Sequence, residues 1–289
     1  MKTIMIATDL LGNANYAAHY GYALAQQVKA DIVLCNAVAL QTEVPQTGLV
    51  PWPAEQYDLM MDDSDKELEL LKQELYKTKS HDGYTPHISC VAEIGTVTQV
   101  VNDVAKEYNV DLIISGAHSS NFVSEFIIGN HNKWLIDRAS RPMIIVPPTF
   151  EAKQIQCITL AVDLNNFDQD SSALLQVVSL AKLLDADISL TYIDLHTHGS
   201  VRNQEKFYHQ LHYLAQKSGY DDINTSVTRA EKVENGLEEL CKEGRIQLLA
   251  MSHHLHGFWD SLIHGSHTKR MVSHMAIPLM VIPVNTGKK

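Results

Sequence analysis

The chain repeats itself once, and no other feature narrows its possible folds as much. The segment TIMIATDLLGNANYAAHYGYALAQQVKADIVLCNAV, Thr3 to Val38, lies over CITLAVDLNNFDQDSSALLQVVSLAKLLDADISLTYID, Cys157 to Asp194. Each gives an apolar strand ending in an aspartate (Asp9, Asp163), a polar loop, an amphipathic helix, an Ala-Asp pair and a second apolar strand. Further on, VDLIISGAHSSNFVSEFIIGNHNKWLIDRASRPMIIVPP lies over IQLLAMSHHLHGFWDSLIHGSHTKRMVSHMAIPLMVIPV. Gly129 falls on Gly265 and Pro142 on Pro278 with one common offset and no gap. A proline-bearing polar stretch, Pro147 to Gln154, reads as the linker between domains at 1–148 and 154–286.

Within each half, short apolar runs alternate with helical patterns as βαβαβαβαβ. In the first half the strands are expected at about 2–8, 31–37, 86–92, 111–115 and 142–147, and the helices near 13–29, 55–79, 96–108 and 129–140. This is the pattern of an α/β fold with a parallel sheet covered on both faces, joined by right-handed crossovers. The expectation is therefore two tandem doubly wound domains. The last apolar strands, PMIIVPP and PLMVIPV, read as edges. Edges invite pairing, so the halves are expected to join through them as an intramolecular pseudo-dimer, which leaves room for a further homodimer.

The 289 residues, 45% hydrophobic and 20% charged, suit two domains with real cores. The formal net charge of −11 disfavours nucleic acid as a partner. No apolar run approaches the roughly 20 residues that span a bilayer, so no membrane partner is expected. Cys35, Cys90, Cys157 and Cys241 show no CxxC spacing and read as reduced, buried thiols of a cytoplasmic protein.

Doubly wound sheets bind ligands beyond the C-terminal ends of their strands, where strand order reverses. Two turns stand out there: Thr8-Asp9 after the first strand, and Gly116-Ala117-His118-Ser119 after the fourth. If those strands are neighbours, the turns face each other. A helix beginning at Gly129-Asn130 would add free amides and a positive dipole end. Such an arrangement suits a nucleotide. The plainer reading is that Gly116 only turns the chain and Asp9 only caps a helix.

The spacing Gly-x-x-Gly, nine residues, Gly-Ser/Thr, approached by VDLIISGAH and left by RASRPMIIVPP, resembles the nucleotide signature of the universal stress protein family. The resemblance covers both halves. It implies a Rossmann-like, adenine nucleotide alpha hydrolase-like fold, cytoplasmic and usually dimeric members, and a site for ATP, ADP or AMP that some members have lost. Asp9 and Gly116 match the pattern, and Gly95 matches a glycine that begins the third helix. Ala37 stands where the main chain approaches adenine, and His118 matches a histidine with an orienting role. Ser119 replaces the second glycine; where a turn needs φ > 0, serine costs roughly 1 kcal/mol. Asn130 replaces the Ser/Thr and keeps a donor. In the second half Asp163, Gly265 and Ser266 match, whereas Ser252, Leu255 and Glu231 stand where glycines belong. A weak nucleotide site in the first domain and a more degenerate one in the second are the expectation.

Ten of the fifteen histidines follow residue 150, and His253, His254, His256, His264, His267 and His274 surround the second loop. Zinc is the metal such a cluster would take, with Asp163 as a further ligand, although no established zinc spacing is present. An alternative reading is a scaffold that binds a metal or an apolar ligand through this second domain. No Lys or Arg lies between Gly116 and Asn130 to stabilise phosphoryl charge, and no nucleophile-base spacing is legible, so catalysis is not expected. Trp52 lies in a long loop that the second half lacks, and the acidic run Asp62 to Asp65 reads as the solvated start of the second helix.

Overall fold

The computed structural model describes residues 1–10, 15–38, 54–78, 83–117, 135–136, 138, 140–148, 150, 154–195, 201–242, 246–252 and 277–283. The first half contributes β1 (Thr3–Ala7), α1 (Asn15–Val28), β2 (Asp31–Val38), α2 (Ala54–Tyr76), β3 (Ile88–Ile94), α3 (Val97–Glu107), β4 (Leu112–Gly116) and β5 (Met143–Val146). The second contributes β6 (Cys157–Val162), α4 (Phe167–Leu184), β7 (Asp187–Asp194), α5 (Val201–Ser218), β8 (Ile223–Arg229), α6 (Val233–Lys242), β9 (Leu248–Ser252) and β10 (Leu279–Ile282). The expected strands are all present within two residues at either end, and most of the expected helix at 129–140 lies outside the described residues. The acidic run is a correction. Asp62 to Asp65 sits well inside α2 rather than at its start, and Ser64 within it turns inward to a buried position.

Both faces of the sheet are apolar because strand residues alternate. Ile4 and Ile6 of β1 join one core with Leu24 of α1 and Leu68 of α2, whereas Met5 between them joins the other with Val100 and Val104 of α3. Helix ends follow local chemistry. Thr96 caps α3 by accepting from the Gln99 amide, Asn166 caps α4 through Gln169, and α4 ends on Asp185 in the left-handed region. Gly21 of α1 is held small by contact: a Cβ there would meet Ile6 at 2.7 Å. The helix accepts the weaker propensity of glycine, about 1 kcal/mol against alanine, and gains a close approach to β1.

All strands form one ten-stranded sheet in the order β3-β2-β1-β4-β5-β10-β9-β6-β7-β8. Each half is doubly wound, with β1 next to β4 and β6 next to β9. The halves join through β5 and β10, which are antiparallel, with Met143 opposite Val281, Ile144 opposite Met280 and Ile145 opposite Leu279. The repeat offset that puts Pro142 on Pro278 also puts Ile144 on Met280. Equivalent residues therefore face each other across the seam, and a pseudo-two-fold axis passes through this pair. The expected pseudo-dimer is formed.

Met280 is 2% exposed at that axis. We expect Met280→Asp to cost more than about 3 kcal/mol in urea unfolding, because an unpaired charge would be buried in the seam. Hydrogen exchange should show protection falling in β4 and β9 alike.

Candidate functional site

Pairing of β1 with β4 sets Ala7 opposite Ser115, so Thr8-Asp9 and Gly116 leave the sheet side by side at its C-terminal edge. The Thr8 amide donates to the Cys35 carbonyl (2.9 Å), continuing the ladder one residue beyond β1. The Thr8 hydroxyl then accepts from the Leu10 amide at 3.0 Å and bends the chain, with Leu10 at φ 60°. A buried relay fixes this turn from below: Asn36 Nδ2 donates to the Thr8 carbonyl (2.8 Å), and Ser64 Oγ donates to Asn36 Oδ1 (2.9 Å). The relay was not anticipated from the sequence. It explains why a serine inside the acidic run of α2 points inward.

The expected site residues divide into those brought together and those outside the described residues. Thr8 is buried and Asp9 half-buried on the first turn, Gly116 is half-buried at the end of β4, and Ala37 is half-buried at the end of β2 opposite Glu93. Gly95 follows β3, its amide donating to the Val38 carbonyl at 3.1 Å. Asp163 occupies the same turn in the second half, where Leu164 at φ 59° repeats Leu10. His118, Ser119, Gly129, Asn130, Gly265 and Ser266 lie outside the described residues, as do Leu255, Trp52 and the six clustered histidines. Among the described residues no group of three or more His, Cys, Asp or Glu could hold a metal. Cys35, Cys90 and Cys157 are free thiols, and burial pushes the Cys35 thiol up to about 12.

The second half differs at equivalent positions. Ser252, buried, takes the ladder position of Gly116: Gly116 pairs with Val146 and Ser252 with Ile282. The expected match of Glu231 with Gly95 is corrected by the backbone. The Ala230 amide donates to the Asp194 carbonyl at 3.1 Å as Gly95 donates to Val38, so Ala230 is the counterpart. Glu231 is an extra residue between β8 and α6, which an ungapped offset cannot reveal.

This alignment exposes a three-residue exchange of volume. The first half has Ala37, Gly95 and Val100; the second has Ile193, Ala230 and Gly236. A Cβ on Gly95 would meet Val100 at 3.0 Å, and one on Gly236 would meet Ile193 at 2.8 Å and Ala230 at 3.2 Å. Each set fills the same space by a different division. The strand end that carries a small side chain in the first domain carries a buried isoleucine in the second. Gly236→Val alone should destabilise by about 1–3 kcal/mol through overpacking. Combining it with Ile193→Ala and Ala230→Gly should recover most of the loss in a mutant cycle read by chemical denaturation.

The second turn is also held differently. Asp170, 3% exposed in the first turn of α4, accepts from the Leu164 amide at 2.9 Å and the Asp163 amide at 3.5 Å. In the first half a neutral hydroxyl, Thr8, does the equivalent work. Burial pushes the Asp170 carboxyl up to about 6, assisted by the neighbouring Asp163 charge and opposed by the two amides. The folded state thus raises this pKa. Stability attached to the group is present below about pH 4 and lost as pH rises through about 6. Between those limits the wild type should lose on the order of 2–3 kcal/mol relative to Asp170→Asn, measured by denaturation across pH.

The sequence profile described as Universal stress protein family matches residues 1–147 and 155–283. Among solved structures the chain is similar to a universal stress protein from Archaeoglobus fulgidus DSM 4304, at 12% identity and a TM-score of 0.71, covering 97% of this chain and 98% of that one. It is also similar to the cytoplasmic domain of a prokaryotic cation chloride cotransporter, at 10% identity and a TM-score of 0.54, covering 100% of this chain and 97% of that one. At such identities the likeness is one of fold. Comparison with the curated proteins gives no match. With the profile matched once in each half and the two halves joined in one sheet, the chain belongs to the universal stress protein family as a tandem of two of its domains.

Proposed function

We propose that the chain is a cytoplasmic stress-response binding module whose first domain takes an adenine nucleotide (ATP, ADP or AMP) and whose second domain has lost much of that capacity. One observation carries this reading. The pairing of β1 with β4 sets the Thr8-Asp9 turn beside Gly116 at the switch point, with Ala37 leaving the neighbouring strand end uncrowded. A nucleotide there would lay its base and sugar along the strand ends and its phosphates toward the backbone after Gly116. In the second domain the position of Gly116 carries the buried side chain of Ser252, which narrows the approach to the backbone there.

The reading is one of binding rather than catalysis. The absence of Lys and Arg between Gly116 and Asn130 leaves that stretch without a side chain to neutralise charge on a transferring phosphoryl group. Binding would act as a signal to a protein partner.

Calorimetric titration with ATP, paired with identification of small molecules that co-purify, tests the proposal. Wild type should saturate at or below millimolar ATP. Gly116→Val and Asp9→Ala should each weaken binding by about tenfold or more, the equivalent of roughly 1.4 kcal/mol. A wild type that binds nothing at millimolar ATP ends it.

A further inference from the structure

The turn that carries Asp9 is tied to α2 by a chain of hydrogen bonds that can run in one direction only. The Thr8 carbonyl can only accept, so Asn36 must present Nδ2 to it (2.8 Å). That leaves Asn36 Oδ1 toward Ser64, whose hydroxyl must then donate (2.9 Å). Thr8, Asn36 and Ser64 are 7%, 8% and 6% exposed, so the chain is shielded from bulk water at every step. A donor that polarises Oδ1 strengthens the bond that Nδ2 makes, and the two bonds support one another. The Thr8 carbonyl belongs to the planar peptide that ends in the Asp9 amide. Holding that oxygen therefore fixes the orientation of the Asp9 amide, while the Thr8 hydroxyl holds the Leu10 amide at 3.0 Å.

Ser64 also seats the first half of α2. Along residues 58–67 it alone is buried; Met60 and Met61 are half-buried and the others exposed. The second half of the helix rests on Leu68, Leu71 and Leu75, all buried in the apolar core. A helix held by three leucines at one end and by a hydroxyl at the other has its weaker seat at the end that reaches the turn. The second domain is connected differently. With Ala7 paired to Cys35 and Ala161 to Thr191, Tyr192 takes the place of Asn36. Its ring lies on Phe207 of α5, with centroids 4.5 Å apart. The turn there is held by Asp170 of the helix that directly follows it. In the first domain the turn answers instead to a helix distant in the chain.

We infer that α2 is the regulatory element of the nucleotide site, with Asn36 and Ser64 as the positioning residues that couple it to the Thr8-Asp9 turn. The inference rests on the nucleotide reading of that turn given above. A ligand that needs one orientation of the Asp9 peptide binds best when Asn36 and Ser64 are both engaged, and so favours the seated state of α2. Coupling of this kind is reciprocal. Whatever unseats the first half of α2 lowers nucleotide affinity by the same factor by which nucleotide opposes the unseating. Occupancy of the site is thereby reported on the surface of α2, away from the ligand.

Hydrogen exchange and calorimetry on the full chain test the coupling. Without nucleotide, Ser64→Ala should speed exchange of the Leu10 amide by about fivefold or more, because the turn loses its hold from below. ATP should slow exchange across residues 58–67 in wild type and leave it unchanged in Ser64→Ala. Ser64→Ala and Asn36→Leu should each weaken ATP binding by about fivefold to tenfold, and the double variant no further, as a single relay requires. Ser64→Thr, which keeps the hydroxyl, should restore affinity. Leu214→Ala, in the buried face of α5 in the second domain, should lower the melting temperature yet leave ATP affinity intact, which separates coupling from general loss of stability. Unchanged Leu10 exchange in Ser64→Ala overturns the inference whether or not nucleotide binds. ATP binding in wild type that leaves residues 58–67 unmoved overturns it too, as does equal ATP affinity in wild type and Ser64→Ala. A wild type that binds no ATP ends the nucleotide reading, and the coupling with it.

Discussion

The fold depends on one short antiparallel strand pair. Every other pairing in the sheet is parallel and closed within one half, so each half would end in an exposed edge at β5 or β10. Joining these edges turns two five-stranded sheets into one and buries Met143 to Val146 and Leu279 to Ile282 on both faces. The register matters as much as the contact. Because Ile144 opposes its own counterpart, a slip by one residue would send the inward-facing sets of both domains to the wrong face at once. The seam also fixes where α1 and α4 stand, and hence which crevices remain beside it.

Symmetry of the backbone does not carry over to symmetry of chemistry. At the strand ends the first domain uses small side chains, a neutral hydroxyl on the turn and a buried Asn36–Ser64 relay. The second uses a buried isoleucine, a buried carboxylate and an extra residue before α6. A repeat of this kind gives two environments of the same shape with different polarity, and the differences mark where function is to be sought.

Much of this was legible in the sequence. The aspartates that end the first strand of each half, the Ala-Asp pairs before the second and the common offset of the late segments fixed the repeat, and alternation of apolar runs with helical patterns implied a doubly wound sheet. The neighbourhood of β1 and β4 stood in the sequence only as a condition, which the pairing of Ile4 to Ala7 with Leu112 to Ser115 meets. What escaped depended on one-residue differences in connection length or on partners distant in the chain. The ungapped offset placed Glu231 on Gly95 because the inserted residue leaves the flanking helix pattern intact. Ser64 looked solvated because its acidic neighbours are; its partner Asn36 lies across a helix–sheet contact that periodicity does not encode. Asp170 was not singled out at all, because nothing in its position at the start of a helix shows that its carboxylate takes amides of the preceding turn from a buried position.

The exchange among Ala37, Gly95, Val100 and their counterparts has a consequence for how such domains can diverge. Going from one set to the other requires three changes, and their order matters. Placing isoleucine at the strand end while valine still stands on the helix forces atoms into overlap, whereas shrinking the valine first leaves a small void that costs less. The permitted route opens space before it fills it. A residue grafted singly from one domain into the other therefore reports the cost of a broken packing set and says little about the role of the residue itself. The two halves have become separate packing solutions, and only whole sets are interchangeable between them.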